Sequence, residues 1–389
     1  MGDSKKNVVI LGSTGSIGIN ALSVIARYPG RFQVIGLTAY NNLKMLAKQV
    51  RQFSPAYVAV NPERIPQLRK EMSGRRVKIL DAGADLSEIV ALPSVDIVVI
   101  GMSGSSALDP FLSAARAGKR IVPANKEALV IAGELIMAEA RRCGARIIPV
   151  DSEQSAIFQC LEGRNRMELK KVYLTASGGA LRNIPRSRFD AFKISDILNH
   201  PRWKMGKKIT VDSATLMNKG FEVIEAQRLF DLKVDDIEVV VHPEAVIHSM
   251  VSFKDGSVMA QMGVPDMRLP IQYALTYPQR WDTGLRPLDF LRLKTMTFEK
   301  PDVKKFPSLS LALHAARAEG TMPCVLNAAD EEEVEAFLKG KLSFSKIYPV
   351  VENVVLKHKS RKSPGLADIK AADTWARQEA RDVIRAGAV

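Results

Sequence analysis

Over the first 150 positions of this 389-residue chain, short apolar blocks alternate with stretches of helical period. The blocks at 7–12, 33–39, 57–60, 77–80, 95–101, 120–123 and 146–150 are rich in Val and Ile. Continuous apolar runs of this kind read as strands buried on both faces. An amphipathic stretch follows the first block as far as Tyr28 and stops at Pro29-Gly30, and further helical stretches cover 43–52 and 107–117. Strand and helix in strict alternation predict a doubly wound parallel sheet.

Past residue 153 the pattern changes. Blocks 169–176 and 237–242 read as strands, and 247–253 and 257–262 flank Asp255-Gly256, a strong hairpin signal. The polar stretch 195–208 predicts a long loop, followed by a helix over 213–230. The section 282–308 carries Pro and Arg without sustained period and suits a linker. Only helical patterns follow, at 309–319, 324–338, 345–357 and 366–386, which predicts a small C-terminal bundle.

Composition narrows the class. Apolar residues make up 46% and charged residues 25%, ordinary for a globular protein with ample core. No apolar run reaches the roughly 18 residues a membrane span needs. The first seven residues run straight into a strand, leaving no room for a signal peptide, and Gly2 lacks a myristoylation pattern. Cys143, Cys160 and Cys324 have no metal or redox spacing, which fits a reducing, cytoplasmic compartment. The net charge of +14 raises nucleic-acid binding. Against it, acidic residues interleave with the basic ones, the dense runs 69–78 and 357–362 look like solvated surface, and no recognition helix is evident. A polyanionic substrate and cofactor account for part of the excess.

Candidate chemistry gathers at strand ends. Gly12, Gly15 and Gly18 lie between a strand and a helix, where glycines let the backbone approach a pyrophosphate at the helix N-terminus. A plain tight turn is the alternative. After the second strand Ala39-Tyr40-Asn41-Asn42 offers no acid to a ribose 2′-hydroxyl, so NADP is favoured over NAD, with Tyr40, Asn41 and Asn42 as cofactor residues. Asn125, Lys126 and Glu127 follow the block at 120–123, and Lys126 suits a substrate oxygen unless it only opens an exposed helix. Asp151-Ser152-Glu153 closes the block at 146–150. Residues two apart in extended chain face one way, and paired carboxylates suit Mg²⁺ or Mn²⁺. The same triplet is also a good helix start. On a helix over 213–230, Asn218, Lys219 and Glu222 share a face that suits a metal and a phosphate, or else form a surface pair. Gly220 beside them costs helix stability, which points to a close approach. Ser177, in Ser177-Gly178-Gly179, offers an anion nest.

The segments GSTGSIG (12–18), PANKEALV (123–130), DSEQSAIFQ (151–159), LTASGG (174–179), 200–226 and 242–268 resemble those of the 1-deoxy-D-xylulose 5-phosphate reductoisomerases, in order and over nearly the whole chain. The resemblance implies an NADPH- and divalent-metal-dependent homodimer that converts 1-deoxy-D-xylulose 5-phosphate to 2-C-methyl-D-erythritol 4-phosphate in non-mevalonate isoprenoid synthesis. It implies Asp151, Glu153 and Glu222 as metal ligands, acting in catalysis with Lys126. Ser152, Ser177, His200, Ser213, Asn218 and Lys219 would bind substrate and its phosphate, with Lys126 beside the substrate hydroxyls. Thr14, Gly15, Ser16, Ile17, Asn42, Asn125, Glu127 and Gly206 would contact NADPH. Trp203 and Met205 would lie on a lid. In domain terms this gives a Rossmann-like NADPH domain over 1–150, a catalytic α+β domain over 151–285, a linker over 286–311 and a helical domain over 312–389.

Two positions depart from the family pattern. Tyr40-Asn41 stands where the family usually has Gly and a basic residue, which weakens the expected 2′-phosphate clamp. Leu326-Asn-Ala-Ala-Asp-Glu-Glu-Glu-Val334 stands where it tends to have Asn-Glu-Val-Ala; Asn327 is retained, and a surface effect only is expected there. The runner-up function is another NADP-dependent dehydrogenase, of the semialdehyde or homoserine type.

Overall fold

The Val- and Ile-rich blocks pair as their continuous apolarity requires. The computed structural model describes residues 5–199 and 205–387, which fall into two compact units. The first comprises 5–128, Ile136–Ser155 and Asp266–Leu285. Its strands are β1 (Lys6–Leu11), β2 (Phe32–Thr38), β3 (Tyr57–Val60), β4 (Lys78–Asp81), β5 (Ile97–Ile100), β6 (Arg120–Pro123) and β7 (Arg146–Ile147). All pair parallel in the order β4-β3-β2-β1-β5-β6-β7. Val8, Val9, Ile10, Val98, Val99 and Ile121 are fully buried, so both faces are covered.

The strand order reverses between β1 and β5, and at such a point the loops at the two carboxyl ends diverge and open a crevice. The last strand is shorter than the block 146–150, but the extended chain runs on. Ile148 N donates to Ile121 O at 2.9 Å and Val150 N to Pro123 O at 3.1 Å, delivering Asp151 beside the end of β6.

Periodicity did not show that the chain returns to this unit at 266–285. There the Arg268–Thr276 helix receives a 3.1 Å hydrogen bond from Arg120 Nη1 to Leu275 O, and Trp281 meets Tyr28 edge-on at 4.8 Å. The four consecutive stretches expected from pattern therefore differ from the two discontinuous units observed.

The second unit comprises Leu129–Leu135, Ala156–Pro265 and 286–387. Its sheet has the order β11-β10-β8-β9, from β8 (Leu169–Ala176), β9 (Ile237–Val241), β10 (Ile247–Phe253) and β11 (Val258–Met262). The β10–β11 hairpin turns at Gly256, whose φ of 88° suits glycine. The expected helix over 213–230 is instead two, Lys207–Thr215 and Met217–Phe230, broken at Leu216 with φ 62°. The expected loop 195–208 is accordingly shorter. The Ile194–Ile197 helix enters it, a helix starts at Lys207, and 200–204 lie outside the described residues. The stretch 286–311 contains the Phe290–Leu293 helix, a bridge from Glu299 to Val241, and Phe306 in the core. The C-terminal helices are Ser308–Ala318, Met322–Leu338, Ile347–Lys357 and Leu366–Ala386, close to the periodic blocks.

Gly220 has its reason here. A Cβ on it would stand 2.2 Å from the Cβ of Ala312, so the Met217–Phe230 and Ser308–Ala318 helices touch where only hydrogen fits. Gly220→Ala should destabilise the protein by about 1–3 kcal/mol despite alanine's better helix propensity. Adding Ala312→Gly should recover most of the loss, as read from chemical denaturation of the single and double variants.

Candidate active site

In the first unit the glycine motif forms a pinched turn. A Cβ on Gly12 would lie 2.9 Å from backbone atoms of Gly101 and Met102, so the loops leaving β1 and β5 approach as closely as backbone allows. Gly12 also has φ 79°, open to glycine and costly to other residues. A Cβ on Gly18 would strike Ser13 Cα at 2.3 Å, which lets the Ser16–Arg27 helix start directly under the turn. Gly15 and Ser16 are exposed, and Thr14 and Ile17 half-buried. This is a backbone surface at a helix N-terminus, suited to an anion.

The side chains that hold the turn were missed from sequence. Thr38 Oγ1, at the end of β2, accepts from Gly12 N at 2.8 Å. Gln49, buried on the Leu43–Phe53 helix, donates to Ser13 O at 2.8 Å and accepts from Ser13 Oγ at 2.7 Å. A buried glutamine on an otherwise apolar helix face was the available signal. Asn42 caps that helix by accepting from Met45 N at 3.2 Å, whereas Tyr40 and Asn41 are exposed.

Asn125 is buried, and its side chain is committed to structure. It donates to Met102 O and Gly104 O, both at 3.0 Å, and accepts from Ala128 N at 2.8 Å. It thus ties the loop after β5 to the Glu127–Cys143 helix. Next to it Lys126 Nζ lies 2.5 Å from Asp151 Oδ2, with only 6% of the Lys126 side chain exposed. Ion pairs this sheltered interact far more strongly than surface ones, and removing either partner strands the other. The Ser152–Leu161 helix begins directly after Asp151, so Glu153 stands in its first turn rather than on extended chain. The two-apart extended geometry expected for Asp151 and Glu153 is corrected accordingly. The helix start was the stronger local preference, and Ser152 Oγ donates to Glu153 Oε2 at 2.5 Å.

In the second unit Ser177 leads into Gly178 and Gly179, with φ of 87° and 70°. A Cβ on Gly179 would lie 2.4 Å from Ser213 O, which brings the turn carrying Ser177 against the helix carrying Ser213. On the next helix Glu222 is 1% exposed, its Oε1 accepting from Asn218 Nδ2 at 2.6 Å and its Oε2 from Lys219. The three share a face as the spacing predicted, but inside the protein, so the surface-pair alternative is excluded. Gly206 caps the Lys207–Thr215 helix through its carbonyl, which accepts from Thr210 Oγ1 at 2.8 Å. Met205 is half-buried, and His200 and Trp203 lie outside the described residues.

Family profiles match three successive stretches. They are 1-deoxy-D-xylulose 5-phosphate reductoisomerase at 8–133, its C-terminal domain at 147–230, and DXP reductoisomerase C-terminal domain at 262–379. A 1-deoxy-D-xylulose 5-phosphate reductoisomerase of Pelotomaculum thermopropionicum is 50% identical over 382 residues, covering 98% of this chain and 99% of its own. One from Moorella thermoacetica is 50% identical over 385 residues, covering 99% and 98%. The chain belongs to the 1-deoxy-D-xylulose 5-phosphate reductoisomerase family.

Solved structures agree. A DOX-P reductoisomerase in complex with NADPH, fosmidomycin and magnesium superposes with a TM-score of 0.93 at 39% identity over 98% of each chain. The Zymomonas mobilis reductoisomerase in complex with NADPH does so with 0.91 at 38% identity, over 98% of this chain and 99% of its own. The reductoisomerase fold thus accounts for both sheets. Within it, Gln49→Ala should cost about 1–3 kcal/mol, because the buried Ser13 carbonyl loses its donor. Urea denaturation of the unliganded protein checks this.

Proposed function

We propose that this protein carries out the NADPH-dependent, divalent-metal-dependent isomerisation and reduction of 1-deoxy-D-xylulose 5-phosphate to 2-C-methyl-D-erythritol 4-phosphate. Family membership over 98% of the chain carries this reading. The alternative dehydrogenase of the semialdehyde or homoserine type has no matching family profile among those found.

Asp151, Glu153 and Glu222 are the proposed metal ligands. Their carboxylates are half-buried or buried and already partnered by Lys126, Ser152, Asn218 and Lys219, a hard-oxygen donor set that fits Mg²⁺ or Mn²⁺. When bound, the ion polarises the substrate carbonyl and stabilises developing alkoxide charge. The protein's own groups do the rest. Lys126 holds Asp151 in place and offers its ammonium to the substrate hydroxyls. Ser152, Ser177, His200, Ser213, Asn218 and Lys219 bind the substrate, with its phosphate among Ser177, Ser213, Asn218 and Lys219. That remote binding energy is available to draw the 195–206 segment, with Trp203 and Met205, over the substrate and exclude water.

NADPH is assigned to the pinched turn at Thr14, Gly15, Ser16 and Ile17, with Asn42, Glu127 and Gly206. Asn125 contributes by holding the loop after β5, since its side chain is already bonded. Tyr40 and Asn41 carry no charge toward a 2′-phosphate, so the preference for NADPH over NADH is smaller than a basic residue would confer. The protein is read as a cytoplasmic homodimer. No described helix is long and apolar enough to cross a membrane.

NADPH oxidation should depend on deoxyxylulose phosphate and cease with EDTA. Glu222→Gln should lower kcat by about 100-fold or more while NADPH binding, read by fluorescence quenching, persists. Near-full turnover of that variant with Mg²⁺ refutes the ligand assignment.

A further inference from the structure

In the stretch 326–334, expected to alter only the surface, Asp330 and Glu333 are turned inward. Asp330 is 1% exposed and Glu333 fully buried on the Met322–Leu338 helix. They face the Lys207–Thr215 helix, whose Lys208 Nζ lies 2.7 Å from Asp212 Oδ2 and 2.5 Å from Asp330 Oδ2. The same ammonium sits 4.9 Å from the ring centre of Phe221. Val211, Ala214 and Leu216 from one side and Val334 and Phe337 from the other belong to one apolar cluster, and the charges lie at its edge with Lys208 partly exposed.

We propose that Lys208, Asp212, Asp330 and Glu333 form a brace that positions the Lys207–Thr215 helix, and through it Ser213, for substrate. This rests on the assignment of Ser213 to the substrate site. Ser213 adjoins Asp212, and Lys208 stands in the first turn of the same helix. One ammonium clamped by carboxylates from two helices therefore sets the height and rotation of the element that carries Ser213.

Glu333 makes the brace sensitive to pH. Neither of its oxygens has a hydrogen-bonding partner among the described residues. Burial pushes its carboxyl well above the usual carboxylate range, Asp330 and Asp212 push it further, and Lys208 opposes them. On the outer side of the same helix, Glu331 and Glu332 are occupied by Arg377 and Arg381. With Glu333 protonated, Lys208 faces two carboxylates. As pH rises through the elevated value the cluster gains a second net negative charge, and the folded state loses stability it held at lower pH.

The test is steady-state kinetics of NADPH oxidation between pH 6 and 9, with thermal melting, for Lys208→Met, Asp330→Asn, Glu333→Gln and Ser213→Ala. Lys208→Met should raise KM for deoxyxylulose phosphate about tenfold, and Asp330→Asn by a smaller factor, with KM for NADPH within about twofold of the parent. Glu333→Gln should flatten the rise in substrate KM and the fall in melting temperature that the parent shows as pH is raised. An unchanged substrate KM in Ser213→Ala overturns the site reading. A raised KM there, with parental KM in Lys208→Met and Asp330→Asn, overturns the brace alone. Equal losses in both KM values mark a merely structural role and also overturn it. Parallel pH profiles for Glu333→Gln and the parent remove Glu333 from the proposal. If Lys208→Met does not fold, Asp330→Asn decides.

Discussion

A carboxylate withdrawn from water must be compensated, and that requirement recurs at each functional point of this protein. Asp151 lies against Lys126, Glu222 against Lys219 and Asn218, and Asp212 and Asp330 against Lys208. Desolvating an ion costs several kcal/mol even after relaxation, so none of these acids is tolerable without its partner. The partners restrict geometry as well as charge. A carboxylate held by an ammonium has few orientations left, and so reaches a ligand already ordered.

Two of these lysines are placed by chain geometry. Lys126 follows a strand end, where the parallel sheet delivers side chains to the crevice, and Lys219 lies three residues before Glu222 on one helix. Lys208 differs, because its second acid is more than a hundred residues away on the Met322–Leu338 helix. The first two arrangements follow from chain geometry, while the third depends on how helices pack.

The pinched turn at Gly12 shows the same division of labour in backbone form. Gly12, Gly15 and Gly18 supply permissive conformation and room, but Thr38 and Gln49 decide where the turn sits, and Asn125 holds the loop after β5 beside it. The glycines announce themselves by spacing. The residues that hold the turn come from β2 and the following helix, and a lone Asn at a strand end, such as Asn125, has no pattern that separates it from a surface one.

Strand blocks, helical periods, the Asp255-Gly256 hairpin and the shared face of Asn218, Lys219 and Glu222 were legible in the sequence because they are set by local periodicity. The family motifs were legible because they are contiguous. Tertiary structure alone decided the return of 266–285 to the first unit and the break at Leu216. It alone decided, too, that Asp330 and Glu333 point inward. The physical reason is common to all of these. Period and propensity describe how a segment relates to itself, whereas burial of a charge and closeness of two helices depend on partners distant in the chain.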